Sequence, residues 1–285
     1  MSAAADAPVW HCGRFQLPLG RPIVMGVANV TPDSFSDGGT YLDPVAALDH
    51  GHTLALAGAD LVDVGGESTR PGSDEVLPAD ELRRVLRVVE ALVTGLDIPV
   101  SIDTRHAAVA RACVEAGASV INDVSGFRDP AMVEVAAGCE AGLVVMHMAG
   151  APKSMQDAPH YDDVVTEVRD YLAAQARMLQ DAGVAPDRIA LDPGIGFGKT
   201  TAHNLELLRR LPELVALGYP VLVGVSRKRF IGELTGVSVP AERVAGSVAG
   251  ALWAVVGGAA IVRVHDVAET VQALAVWNAA DRAGR

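Results

Sequence analysis

The chain has 285 residues, half of them hydrophobic but only 4% aromatic, with 35 acids against 23 bases and a formal net charge of −12. That length suits one large α/β domain or two ordinary ones, with a core filled by Ala, Val, Leu and Ile. The acid excess argues against a nucleic-acid partner held on a general basic surface, so any anion must be caught by a local basic cluster. Cys12, Cys113 and Cys139 are far apart and lack metal-ligand spacing, which predicts neither a disulfide framework nor a structural zinc site and fits a reducing cytoplasm. The start is Ala-rich with no basic region before an apolar stretch, unlike a signal peptide. Residues 1–20 therefore read as a disordered or extended tail ahead of a domain over 21–285. No apolar stretch is long enough to span a bilayer, so no membrane partner is expected; residues 244–256 read as a buried helix.

Along the chain, short apolar runs keep ending on a polar or charged residue, and stretches of helical period lie between them. The first run, 23–29, ends on Asn29, with a helix expected over 44–57. Run 61–67 ends on Glu67 and leads to an amphipathic helix over 78–93, where Leu82, Val85, Leu86, Val89 and Leu92 fall on one face. Strand 100–103 precedes helix 106–115, strand 120–122 precedes helix 130–137, and strand 143–147 precedes a long helix over 161–182. Gly117, Gly138 and Gly183 mark the three helix ends. Strand 189–192 leads to helix 205–217, strand 221–226 to a helix over 240–256, and strand 261–265 to helix 267–280. Regular strand and helix alternation without a composition break is the pattern of parallel βαβ units. Its length and count favour one closed (β/α)8 barrel, a TIM barrel, over an open doubly wound sheet. No G-x-G-x-x-G follows the first run, which weighs against the Rossmann alternative.

In such a barrel the polar ends of the runs converge on one rim, where chemistry is expected. Arg263 and His265 lie two apart on the last run and so point to the same side. The alternative is that one faces outward or pairs with an acid such as Asp63. Lys228 follows the seventh run between Arg227 and Arg229, and with Arg263 and His265 makes an anion pocket. Arg227 and Arg229 fit a solvated helix start. The loop from Gly65 to Gly72 combines glycines with Thr69 and Arg70, a hydroxyl and a guanidinium suited to phosphate. The long loop after Asn29 carries Phe35 among turn formers and reads as a lid or binding loop. Gly194-Ile195-Gly196-Phe197-Gly198-Lys199-Thr200 is one residue short of a Walker A loop. It is expected to be a flexible rim loop in which Phe197 walls a pocket.

Taken in order, the blocks resemble dihydropteroate synthases over nearly the whole chain, from Ile23 to Val267. The segments are Asn29-Val30-Thr31-Pro32-Asp33-Ser34-Phe35-Ser36-Asp37-Gly38-Gly39, Asp63-Val64-Gly65-Gly66-Glu67-Ser68-Thr69-Arg70-Pro71-Gly72, Ser101-Ile102-Asp103-Thr104 and Ile121-Asn122-Asp123-Val124. Asp192-Pro193-Gly194, Ser226-Arg227-Lys228 and Arg263-Val264-His265 complete the set. The resemblance implies a transferase of folate biosynthesis that joins 4-aminobenzoate to a (7,8-dihydropterin-6-yl)methyl diphosphate and releases diphosphate.

It further implies Asn29 as a ligand of Mg²⁺, and Thr69, Asp103, Asn122, Asp192, Lys228, Arg263 and His265 as the pterin diphosphate site. Arg70, Lys228, Arg263 and His265 would act on the leaving diphosphate, while Phe35, Pro71, Phe197 and Ser226 would hold 4-aminobenzoate. A homodimer, with residues 244–256 as an apolar surface, is implied as well. The chemistry agrees: a pterin edge offers amino and ring N–H donors beside a carbonyl, which carboxylates and an amide can meet. An aniline nitrogen is already unprotonated at neutral pH, so a site without a nucleophile and base pair suits it. Arg229 departs from the Ser found in many relatives, and His147 matches no role. Two rival readings are a methyltetrahydrofolate-binding methyltransferase, which would have no use for the anion set, and a non-catalytic pterin-binding paralogue.

Overall fold

The computed structural model describes residues 8–30, 44–68, 75–150, 155 and 159–283. A short hairpin, β1 (Val9–Cys12) and β2 (Phe15–Pro18), comes first, followed by β3 (Ile23–Asn29), α1 (Pro44–Leu56), β4 (Leu61–Gly65), α2 (Pro78–Gly95), β5 (Val100–Asp103) and α3 (Ala107–Glu115). The chain continues with β6 (Val120–Asp123), α4 (Pro130–Ala137), β7 (Gly142–Met146), α5 (Val164–Asp181), β8 (Ile189–Asp192), α6 (Thr201–Arg209) and α7 (Pro212–Val215). It ends with β9 (Leu222–Val223), α8 (Arg229–Thr235), α9 (Val244–Val256), β10 (Ile261–Val264) and α10 (Val267–Ala283).

Eight strands form one parallel sheet in the order β8, β7, β6, β5, β4, β3, β10, β9, and a parallel bridge from Leu191 to Val221 joins its two ends. The result is the expected (β/α)8 barrel. Strand periodicity sorts its side chains. Ile23, Met25, Leu61, Val120, Val144, Ala190, Leu222 and Ile261 form an inner cluster, while their neighbours Val24, Val62, Ile121, Leu143, Leu191, Val223 and Val262 belong to the layer between sheet and helices. Both faces of each strand are therefore buried, which is why the runs read as continuously apolar.

Local chemistry moves several expected boundaries. The helix expected from residue 161 begins at Val164 because the Asp163 carboxylate accepts from the N–H groups of Val165 and Thr166, an N-cap arrangement. The helix expected over 205–217 is two: Thr200 caps α6 through a reciprocal pair with His203, and Pro212, lacking an N–H, starts α7. The seventh run keeps only two residues as strand. Past Gly224 the backbone turns, Arg227 taking a φ of 59°, and this carries Ser226 and Lys228 to the barrel mouth.

The tail reading of residues 1–20 fails for 9–18. Val9–Cys12 pairs antiparallel with Phe15–Pro18, and Trp10 and Cys12 are fully buried in the inner cluster. Trp10 Nε1 donates to the Arg188 carbonyl at 2.9 Å and Gly13 N–H to the Glu140 carbonyl at 2.8 Å, both near the N-terminal ends of β7 and β8. The hairpin thus plugs the barrel bottom. Its fit depends on Gly142, where a Cβ would lie 2.7 Å from Cys12 Sγ and 3.1 Å from the His11 carbonyl oxygen. Only four residues per strand gave no periodic signal strong enough to mark the hairpin. Replacing Trp10 by Ala is expected to lower unfolding free energy by about 3–5 kcal/mol, measured by denaturant titration, with turnover per folded molecule unchanged. A loss of turnover beyond the loss of folded protein would contradict a purely structural plug.

Candidate active site

The C-terminal ends of the strands surround a cavity of about 750 Å³, bordered by Asn29, Glu67, Asp103, Asn122, Asp192, Phe197, Ser226, Lys228, Arg263 and His265 among others. Eight of the expected site residues thus come together from six strand ends: Asn29, Asp103, Asn122, Asp192, Ser226, Lys228, Arg263 and His265. Phe197 joins them from the loop after β8. Phe35, Thr69, Arg70 and Pro71 lie outside the described residues.

The floor is an ion network. Arg263 Nε donates to Asp63 Oδ2 at 2.6 Å and Nη2 to Asp103 Oδ2 at 2.7 Å, while Asn122 Nδ2 donates to the same Asp63 oxygen at 3.0 Å. The pairing of Arg263 with Asp63, raised above as an alternative to diphosphate binding, is therefore real. Period-2 alternation explains it, because Asp63 sits two residues after inward-facing Leu61. An Asp inside an otherwise apolar run was the available signal for this missed floor residue. Burial works against the charge on Arg263, but Asp63 and Asp103 outweigh it and hold the guanidinium above its usual range. Burial pushes the Asp103 carboxyl upward, with Arg263 opposing and Asp63 reinforcing the shift. Asp192 is raised to about 6, chiefly by burial, against the Gly194 N–H that it accepts at 2.7 Å.

The rim is basic. Lys228 Nζ stands 4.0 Å above the centre of the Phe197 ring, a cation–π contact that fixes one charge beside one aromatic wall. Ser226 is 6% exposed; its Oγ accepts from the His265 backbone N–H at 3.1 Å and lies 3.0 Å from His265 Nδ1. Ser226 therefore orients His265 as well as bordering the cavity. Arg229 pairs with Glu233 at 2.9 Å and is mostly exposed, which fits a solvated helix start. Arg227 does not fit one: its Nε donates to Asp266 at 3.2 Å, its N–H to Ser247 Oγ at 2.8 Å, and its carbonyl accepts from Arg243 at 3.0 Å.

The loop after β8 is pinned rather than flexible. A side chain at Gly194, φ 65°, would place its Cβ 1.9 Å from the His147 carbonyl oxygen, and Gly196 N–H donates to Asn204 Oδ1 at 2.8 Å. Lys199 Nζ is buried within 2.9 Å of His147 Nδ1 and 3.0 Å of the Phe197 carbonyl. Burial lowers the Lys199 ammonium to about 7, and burial with the Lys199 charge pushes His147 down to about 3. A neutral imidazole thus accepts from the lysine. The terminal His of the fifth run, without a role in the sequence, is the anchor of the Phe197 loop, and Lys199 locks that loop instead of cradling phosphate. Met146, Met148, Met155 and Val124 pack with Phe197 as its apolar backing.

Residues 25–265 match the model of the pterin binding enzyme family. A curated dihydropteroate synthase of Neisseria meningitidis serogroup C is 52% identical over 275 residues, covering 95% of this chain and 97% of that one. The chain belongs to the dihydropteroate synthase family. Among solved structures, Xanthomonas albilineans dihydropteroate synthase with 4-aminobenzoic acid superposes with a TM-score of 0.92 at 52% identity, covering 96% of this chain and 98% of that chain. The same bacterium's enzyme in complex with 7,8-dihydropteroate gives 0.88 at 49% identity over 96% and 99%. As a dihydropteroate synthase the protein is a transferase of folate biosynthesis, with diphosphate as its leaving group.

The lock between Lys199 and His147 has a direct readout in this synthase. Lys199→Met removes the charge that helps to hold His147 neutral, so the ring's pKa, followed by NMR titration, is expected to rise while burial keeps it below the ordinary histidine value. An unchanged ring pKa would mean that the two side chains do not interact.

Proposed function

We propose that the cavity divides the dihydropteroate synthase reaction between an acidic floor that holds the pterin and a basic rim that takes the diphosphate. The carrying observation is the convergence of Asp103, Asn122 and Asp192 at the floor with Lys228 and His265 at the mouth. The two carboxylates suit the amino and ring N–H donors of a pterin edge, and the Asn122 amide can serve a donor or an acceptor. Arg263 joins the two zones: Nε and Nη2 are committed to Asp63 and Asp103, which fixes the plane of a fork whose charge spreads over the departing diphosphate. Lys228 and His265 share that task, together with Thr69 and Arg70 from the neighbouring loop.

The bond from the pterin methylene to the diphosphate breaks first, leaving a cation stabilised by the electron-rich ring, and the neutral arylamine then attacks. No strong base is needed for that step. Phe197 forms one wall for 4-aminobenzoate, completed by Phe35 and Pro71, with Ser226 and its loop beside the ring. Mg²⁺ fits the donors present. Asn29 Oδ1 is a hard oxygen at the end of β3, and a Cβ on Gly65 would stand 3.6 Å from it and 3.7 Å from Asp103 Oδ2. A single amide oxygen suits an ion that keeps several waters and binds phosphate oxygens. When bound, Mg²⁺ would neutralise charge on the leaving group.

The partners are thus two small molecules and, as a homodimer, a second copy. Trp253 and Val256 on α9 and Val276 on α10 are 59%, 66% and 73% exposed, more apolar surface than residues 244–256 would show as a wholly buried helix. Three free thiols support a cytoplasmic setting, and among the described residues no helix is long and apolar enough to cross a membrane.

Purified protein with Mg²⁺ is expected to release diphosphate from the pterin substrate and to form dihydropteroate when 4-aminobenzoate is added; no product at saturating substrates would refute the assignment. Because Asp192 is raised to about 6, its carboxylate accepts from the pterin above that pH and is protonated below it. Pterin affinity, measured by calorimetry, should therefore weaken as pH falls through about 6, and Asp192→Asn should flatten that limb. For the dimer, Val256→Asp should shift sedimentation towards monomer; an unchanged profile would place the interface elsewhere.

A further inference from the structure

A second cluster of ligand-type side chains lies behind the loop that follows β4. Glu67 ends the second run, Glu81 sits in the first turn of α2, and His106 occupies the N-cap position of α3. His106 Nε2 is 3.6 Å from Glu67 Oε2 and 3.9 Å from Glu81 Oε2, and one ligand atom from each residue lies within 4.8 Å of the others. An ion with bonds of about 2.1 Å in tetrahedral geometry holds its ligands about 3.4 Å apart. The spacing is therefore close to a coordination shell before any ion enters.

Two atoms of the cluster are left without partners. Glu81 is fully buried, and its Oε1 has no hydrogen-bond partner among the described residues; the same holds for the buried His106 Nε2. The rest of the cluster is well ordered. Thr104 Oγ1 donates to Glu81 Oε2 at 3.0 Å and accepts the His106 N–H at 3.1 Å. Arg105 Nε and Nη2 each reach a Glu67 oxygen at 3.0 Å, and Val76 N–H donates to Glu67 Oε1 at 3.1 Å. Burial chiefly, with the charges of Glu67 and Asp103, raises Glu81 to about 8. Arg105 balances Glu67, which leaves the buried Glu81 Oε1 and the imidazole Nε2 without a cation hydrogen-bonded to them among the described residues.

We propose that Glu67, Glu81 and His106 form a binding site for one divalent transition-metal ion of the zinc class, with water at a fourth position. An imidazole beside two carboxylates selects zinc, cobalt or manganese over calcium and magnesium, so the site differs in chemistry as well as in place from the Mg²⁺ position at Asn29. Its ion ties the loop after β4 to α2 and to the start of α3. Glu67 also borders the active-site cavity, so the ion holds one residue of its lining in place. The inference does not depend on the synthase assignment.

The test uses the full chain after chelation, titrated with Zn²⁺ by calorimetry and with Co²⁺ by visible absorption. One equivalent per chain, low-coordinate cobalt bands, a higher thermal midpoint with Zn²⁺, and an anomalous peak between the three residues are expected. His106→Ala and Glu81→Gln should each weaken Zn²⁺ binding at least tenfold while retaining the circular dichroism of the parent in chelator. Zn²⁺ bound equally well by both folded variants, or no stoichiometric binding by the parent, would overturn the proposal and leave a proton shared among the acids as the neutralising charge.

Discussion

The structure depends on one buried contact, the Arg263 guanidinium clamped between Asp63 and Asp103 across the barrel. Each of these charges alone would be expelled from an apolar interior, since ion desolvation costs several kcal/mol. Together they satisfy one another, and Asn122 adds a fourth strand to the network. Removing one member of such a buried set costs about 3–5 kcal/mol, because the survivors stay buried and unpaired. The four residues lie on β10, β4, β5 and β6, so the network also ties the register of those strands at the level where the cavity begins. Below it the barrel is apolar and sealed by Trp10; above it the lining is polar.

That division separates what stabilises the protein from what it does. The inner apolar cluster, Trp10 and Cys12 of the hairpin included, contains no ionised side chain, and packing there is held by volume and a few backbone contacts. At the other end the backbone is held by side chains: Asp192 on Gly194, Asn204 on Gly196, Lys199 on His147, Ser226 on His265, Arg243 on the carbonyl of Arg227. Loops anchored in this way can present Phe197 and Lys228 at a fixed separation without help from regular structure.

The strands and most helices were legible because period and burial are the same fact: inward and outward positions alternate on every strand, and the polar terminators mark the level where the apolar core stops. Asp103, Asn122, Asp192 and His265 could be placed at the mouth for that reason alone. Pairing was not legible, since nothing in the order of residues says that Arg263 reaches β4 and β5, or that the fifth run's His147 meets Lys199. Arg263 reaches past neighbouring β3 to β4 and β5, and His147, just after β7, meets the loop after the adjacent β8. The hairpin was hidden for a different reason. Its strands are four residues long and only Trp10 and Cys12 of their eight residues are buried, too short for alternation to outweigh the appearance of a tail. The cluster of Glu67, Glu81 and His106 escaped because its members come from a loop, a helix and a cap, with no common period.

The charges at the mouth follow from what the site has to hold. At the floor, Asp63 and Asp103 share the Arg263 guanidinium, and in the proposed reading this acidic end meets the N–H donors of the pterin. The rim carries Lys228 and His265 on an otherwise acidic chain of net charge −12. A ligand that is donor-rich at one end and anionic at the other is aligned by this gradient before any specific contact forms, because either reversed placement sets like against like in a medium of low dielectric. When the anionic end leaves, the attraction it provided is lost, and in the proposed reading the pterin-methyl cation stays at the acidic floor, in reach of the second substrate. Arg263 lies on the boundary of the two zones, and its commitment to the floor acids keeps it from following the departing anion out of the site.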